Sequence, residues 1–189
     1  MARNPLRRAE LADAGLRLLA KEGTRGLTHR AIDEEAGVPR GTASNYFNTR
    51  ADVIAGLIER IGQRLAPSSE VHEPLAAQPP SPELFGAYIR DIVARLLGNR
   101  DVTLALFELR LEASRRPEIR DILGSWQRSN FSADVEFNLA AGLPGGRQEI
   151  ALFHYAIDGL LLDRLTDPID PDTSTDEVVD ALVAGLLHP

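Results

Sequence analysis

Apolar side chains return at Leu11, Ala14, Gly15, Leu18 and Leu19, the i, i+3, i+4, i+7, i+8 rhythm of a helix with one buried face. This predicts an amphipathic helix over residues 6–21, with Gly23 and Gly26 ending it. Thr28 is a good N-cap, Ile32 and Ala36 lie four apart on one face, and Gly37 stands where a helix end needs a left-handed residue, so the second helix is barely two turns long. Pro39 is tolerated in the first turn of a third helix that can run only to about Tyr46. Thr49 then caps a fourth, carrying Val53, Leu57 and Ile61 to Leu65.

Helical patterning stops at Leu65. Pro67, Pro74, Pro79, Pro80 and Pro82 crowd residues 66–82 together with serines, which predicts a linker or long loop. Beyond it the signals are helical again, over 82–97, 101–114, 117–141, 147–165 and 174–187. Ser174 and Glu177 have the spacing of a capping box at the start of the last helix. Strand alternation is nowhere sustained, so the expected fold is all-α. Its expected division is a small helical head at 1–50, a connecting helix at about 49–65, a Pro-rich loop at 66–82 and a larger helical domain at 83–189.

Charge separates the two parts. The net charge of -7 argues against nucleic acid as a partner when taken as one number. Residues 1–65, however, carry 11 basic side chains against 8 acidic, a net of +3, whereas 66–189 carry 10 against 20, a net of -10. Lys21 aside, every basic residue is arginine, whose planar fork suits phosphates and base edges, although a GC-rich genome produces the same bias. The absence of cysteine excludes disulfides, thiol nucleophiles and thiolate metal sites. With no apolar run long enough to span a bilayer and no secretory h-region, the expectation is a soluble cytoplasmic protein without membrane contact.

Two short helices joined by a tight glycine-containing turn and held by a longer preceding helix form the helix-turn-helix arrangement, whose second helix enters a major groove of double-stranded DNA. Ala43 and Phe47, four apart, face inward; Arg40, Thr42, Ser44, Asn45 and Tyr46 face out or flank the groove. Arg40 can be bidentate to guanine, Asn45 can read a base edge, and Thr42 offers a methyl or a hydroxyl. Phosphate contacts are expected from helix starts at Thr28 and Thr49, from Arg50, whose place in a first turn runs against the helix dipole, and from a basic arm of Arg3, Arg7 and Arg8.

These residues resemble the TetR-family transcriptional regulators. The resemblance covers residues 9–57: Leu18-Leu19-Ala20-Lys21-Glu22-Gly23, then Leu27-Thr28, Ala36-Gly37-Val38-Pro39, Gly41-Thr42, Phe47, and Thr49-Arg50 with Val53-Ile54, where the family usually has a lysine and then leucines. It implies a dimeric two-state device whose large domain takes a small molecule and whose paired heads then no longer match two half-sites about 34 Å apart. There are two departures. The family's usual tyrosine three residues before Phe47 is Ser44, so its contact passes to Asn45 and Tyr46. Asp33 stands where alanine is common, and its carboxylate is expected to accept N–H groups at the start of the third helix or to hold Arg40.

In the acidic part, Ile150–Leu162 is apolar nearly all round, and Val178, Val179, Leu182, Val183, Leu186 and Leu187 make two adjoining stripes. The last two helices are therefore expected to form a two-fold four-helix bundle in a homodimer. An effector pocket is expected among the middle helices, with Phe85, Tyr88, Phe107, Trp126 and Phe131 as walls and Arg110, Gln127, Asn130 and His154 as polar anchors. Glu108 with Glu112 and His154 with Asp158 are i, i+4 pairs, but neither has metalloenzyme spacing, so no catalytic residue, metal or cofactor is expected. The function these features point to is sequence-specific regulation of transcription, as a repressor released by a small molecule. The alternative is a helical ligand-binding or protein-interaction module without specific DNA binding.

Overall fold

The computed structural model describes residues 4–187. Among them are ten helices and no strand: α1 (Pro5–Gly26), α2 (His29–Glu35), α3 (Thr42–Tyr46), α4 (Arg50–Arg64), α5 (Ser69–Ala76), α6 (Pro82–Gly98), α7 (Arg100–Ala113), α8 (Pro117–Ala140), α9 (Arg147–Leu165) and α10 (Thr175–Leu186). The chain divides into two compact units, one of the residues up to Ala66 with Asn99–Gln127, the other of Pro67–Gly98 with the residues from Arg128 on.

In the first unit α1 packs on α2, α4 and α7, and α4 also packs on α7. Asn4 starts α1 by accepting the Leu6 N–H at 3.0 Å, with Pro5 in the first turn. Gly23, at φ 67° and ψ -170°, interrupts the helix within Pro5–Gly26, where the sequence signals place its end. The core joins Leu11, Leu16 and Leu19 of α1, Ile32 of α2, Phe47 just past α3, Ile54, Leu57 and Ile61 of α4, and Leu109, Ile119 and Leu123. Each such side chain contributes about 1.5–3 kcal/mol by leaving water. Two glycines let backbone and side chain meet: a Cβ on Gly15 would lie 2.7 Å from Leu57 Cδ2, and one on Gly56 only 2.5 Å from Phe47 Cε1.

In the second unit α6 packs on α5, α9 and α10, and α9 packs on α10. Leu84, Phe85, Ile89 and Val93 bury against Phe153, Ile157, Leu161 and Val179, with the rings of Phe85 and Phe153 4.8 Å apart. Asn138 is buried and donates to the carbonyls of Leu143, Pro144 and Gly145, fixing the turn into α9. Ser174 caps α10 through the expected capping box with Glu177. One expectation fails here. Residues 69–76, within the stretch read as a loop, form α5, started by Ser68, whose hydroxyl accepts the Val71 N–H. Pro74 sits inside that helix, which ends ahead of Pro79 and Pro80.

Candidate nucleic-acid interface

The turn that carries α3 is built from α2. Thr28 Oγ1 accepts the Ala31 N–H at 3.1 Å and starts α2. At its other end Gly37, at φ 64°, donates to the Glu34 carbonyl, and Val38 donates to the Asp33 carbonyl. That pair of bonds is a Schellman closure, which the glycine makes possible. Thr42 N then turns back to the Pro39 carbonyl, and Gly41 at φ 89° precedes α3. The third helix therefore starts at Thr42 and not in the turn after Pro39, because the left-handed Gly41 breaks helical continuity.

Gly41 has no side chain to cap α3, and Asp33 does it instead. Its Oδ2 accepts the Gly41 N–H and its Oδ1 the Ala43 N–H, both at 2.7 Å, from a position 1% exposed. Of the two expectations for Asp33 the helix start is realised, while Arg40 lies by Glu34 at 3.7 Å, an acid that Arg30 also holds at 2.9 Å. That hydrogen bond and the Arg30 charge, with Arg40 adding less, keep the Glu34 carboxyl below its ordinary range. At the far end of α3, His29 Nε2 is 2.7 Å from the Phe47 carbonyl and must donate, since a carbonyl only accepts. No motif flagged His29; its signal is the four-residue spacing to Asp33.

Ala43 and Phe47 are fully buried, as expected, and Arg40, Ser44 and Asn45 are exposed. Thr42, half-buried, and Ser44 donate their hydroxyls to the carbonyls of Pro39 and Gly41, leaving oxygen lone pairs outward. Tyr46 packs partly against the core. Thr49 caps α4 in a reciprocal box with Asp52.

Arg50, expected at phosphate, is exposed and also has partners within the chain. Its guanidinium donates to the Thr24 carbonyl at 2.8 Å and the Leu27 carbonyl at 3.3 Å, so it serves the open carbonyls at the end of α1. Those carbonyls give a cation in the first turn of α4 partners of its own. The basic arm is likewise spent internally. Arg7 pairs with Glu10, and Arg8 lies 5.0 Å over the Phe47 ring while pairing with Glu59. Arg3 lies outside the described residues.

Residues 11–57, which hold this site, match the family described as bacterial regulatory proteins, tetR family, and residues 80–189 match the tetracyclin repressor-like C-terminal domain. The chain belongs to the TetR family of transcriptional regulators. That family is one of regulatory proteins and is not enzymatic. Relatives of this TetR-family chain include the HTH-type transcriptional regulators BetI of Agrobacterium fabrum, 32% identical over 45% of this chain and 49% of that one, and of Rhizobium meliloti, 28% identical over 74% and 65%. The chain thus spans less than two thirds of either relative. A TetR-family member from Streptomyces coelicolor A3 shares the fold at a TM-score of 0.73 and 27% identity, over 98% of this chain and 100% of that one. The multidrug binding protein EbrR complexed with malachite green does so at 0.69 and 25%, over 98% and 100%.

The residues expected to line an effector pocket fall in both units of the TetR-family chain. Phe107, Arg110, Trp126 and Gln127 belong to the first, where Arg110 lies 5.7 Å over the Phe107 ring and Trp126 packs on the core. Phe85, Tyr88, Asn130, Phe131 and His154 belong to the second. There Asn130 and His154 are exposed, and His154 pairs with Asp134 at 3.1 Å and meets the Phe131 ring edge-on at 5.5 Å. Tyr88 is buried, its ring 5.2 Å from both His72 and Phe137. Beside it Asp91 joins His72 at 3.2 Å and Arg95 at 3.1 Å. Burial lowers the Arg95 guanidinium from its ordinary value, against the opposing charges of Asp91 and Asp134. His72 escaped sequence reasoning because it lies in the Pro-rich stretch, whereas Asp91 and Arg95 had a readable i, i+4 spacing. Among the described residues no helix is long and apolar enough to cross a membrane.

Proposed function

We propose that this regulator is a homodimeric repressor that reads a two-fold operator with α3 and is released by a small organic molecule held in its second unit. The observation that carries the proposal is the two-sided α3, with Ala43 and Phe47 buried and Arg40, Ser44 and Asn45 open on the other side. Arg40 forks onto guanine, Asn45 pairs with an adenine edge, and Thr42 meets a thymine methyl or a base acceptor. Ser44 and Tyr46 flank the groove. Phosphates sit at the starts of α2 and α4, beside Thr28 and Thr49. Arg50 acts at one remove, by steadying the Leu27 backbone that leads into Thr28.

The second copy covers α9. Leu152, Tyr155 and Leu162 stand exposed with Gly159, at the three- and four-residue spacings of a packing seam, and nothing lies within 4 Å of where a Cβ on Gly159 would be. Exposed Ala181, Ala184 and Gly185 of α10 extend the face with small residues. For the effector, the Tyr88 and Phe137 rings suit an aromatic organic molecule. The EbrR structures bound to ethidium and malachite green, both aromatic cations, lend support.

The test is binding by the full-length protein to a duplex it selects from random-sequence DNA, over a series of salt concentrations. Affinity should fall steeply with salt, and Arg40→Ala should relax base choice at one position of each half-site by about tenfold. Ethidium should raise the melting temperature and release the duplex. A flat salt response with no preferred duplex would favour the non-DNA-binding module.

A further inference from the structure

Asp33 and His29 stand one turn apart on the same face of α2, and together they hold both ends of α3. A five-residue helix has almost no internal hydrogen bonding to keep its shape, and helices of that length do not persist alone. Its N-cap, Gly41, contributes no side chain. Asp33 supplies both missing acceptors, and its own carbonyl accepts Val38 N–H in the turn before α3, so one residue sets the turn and the helix start. His29 donates to the Phe47 carbonyl at the other end. The pairing matches the helix dipole, with an acid at the positive pole and a donor at the negative pole.

We infer that Asp33 and His29 are positioning residues for base reading: they fix the pitch and depth of α3, so loss of either lowers discrimination between sequences more than affinity for DNA as such. Asp33 is 1% exposed, so its effect on α3 passes through the backbone it holds. The starts of α2 and α4, by contrast, are capped by Thr28 and Thr49 independently of either ligand to α3. Phosphate contacts position and base contacts specify, and only the latter need α3 held at hydrogen-bonding precision. The inference rests on α3 entering the major groove.

The experiment compares affinities for the preferred duplex and for a scrambled one, using full-length Asp33→Ala, Asp33→Asn, His29→Ala and His29→Gln, each with its melting curve and salt slope. The alanine variants should lower the preferred-to-scrambled ratio about tenfold while scrambled affinity and salt slope stay at wild-type values. Asn and Gln, which keep one acceptor and one donor, should recover part of the ratio. Where an alanine variant melts too low to assay, the conservative variant decides, and in Asp33→Asn the Gly41 and Ala43 amides should exchange faster while the other amides of the first unit stay protected. An unchanged ratio in folded variants, or an equal loss on both duplexes, overturns the inference alone. A wild-type protein with no preferred duplex overturns the DNA reading and the inference with it.

Discussion

The two units bury their apolar side chains to different degrees. In the first, one cluster from Leu11 to Leu123 closes around α1, α4 and α7, and among the described residues the large apolar side chains left in the open are Leu6 and Leu111. In the second, Val71, Phe137, Leu139, Leu152, Tyr155, Leu162 and Ile169 are all exposed. Apolar residues scattered singly need no explanation, but a line of them along one helix does. The contrast separates a core that completes itself from one that leaves a face for another surface. The first unit spends its polar groups on fixing the short α3, whereas the second leaves an apolar stripe on α9, the face proposed above for a second copy.

The largest way to break this contrast is within the closed core. Phe47 is fully buried, meets Gly56 closely and carries Arg8 on its face. Phe47→Ala should cost about 3–5 kcal/mol, read from urea unfolding. The single tryptophan, Trp126, packs on this cluster, so its fluorescence reports the first unit. A loss below about 1 kcal/mol would mean that the core collapses around the gap and is not closed as described. The next test is on the open face. Tyr155→Asp with Leu162→Asp places four carboxylates across a two-fold seam and should weaken self-association at least about a hundredfold, seen by sedimentation, because buried interface anchors are worth about 2 kcal/mol or more each. A double variant that remains a dimer would leave the α9 stripe without its proposed partner.

What the sequence made legible was local chemistry. Thr28, Thr49 and Ser174 cap helices because a hydroxyl at that place accepts a free N–H whatever the fold around it, and Gly37 closes α2 because other residues resist positive φ. Asp33 was readable because an acid four residues before that glycine has helix-start N–H groups within reach. The partners of Arg50 were not legible, because the Thr24 and Leu27 carbonyls come from a chain segment more than twenty residues away. The helix at Ser69–Ala76 was missed since five prolines outweighed one serine cap, and Pro74 lies inside that helix, past the first turn where proline is ordinarily tolerated. The pocket residues were the least legible: an aromatic at helical spacing looks the same whether it fills a core, as Phe85 does against Phe153, or borders an open site.

The smallest expected effect concerns how the closed unit joins α1 to α4. Asp13 receives Arg60 through two bonds, Nε to Oδ1 at 2.9 Å and Nη2 to Oδ2 at 2.8 Å, and Arg64 at 3.1 Å. Burial by itself would raise the Asp13 carboxyl, but the hydrogen bonds and charges of Arg60 and Arg64 outweigh it and hold the group below its ordinary value of 3.8. A carboxylate whose folded value is depressed adds stability that is fully present above its unfolded value and disappears as pH falls through the folded one. Asp13→Asn should therefore cost about 0.5–1 kcal/mol at pH 7, a modest sum because the cluster is partly open to solvent. Followed by Trp126 fluorescence, the gap between wild type and variant should begin to close below about pH 4 and vanish in stronger acid. If the gap persisted undiminished at the acid end, lost packing and not lost charge would be its source, and the tie between α1 and α4 would owe nothing to the ion pair.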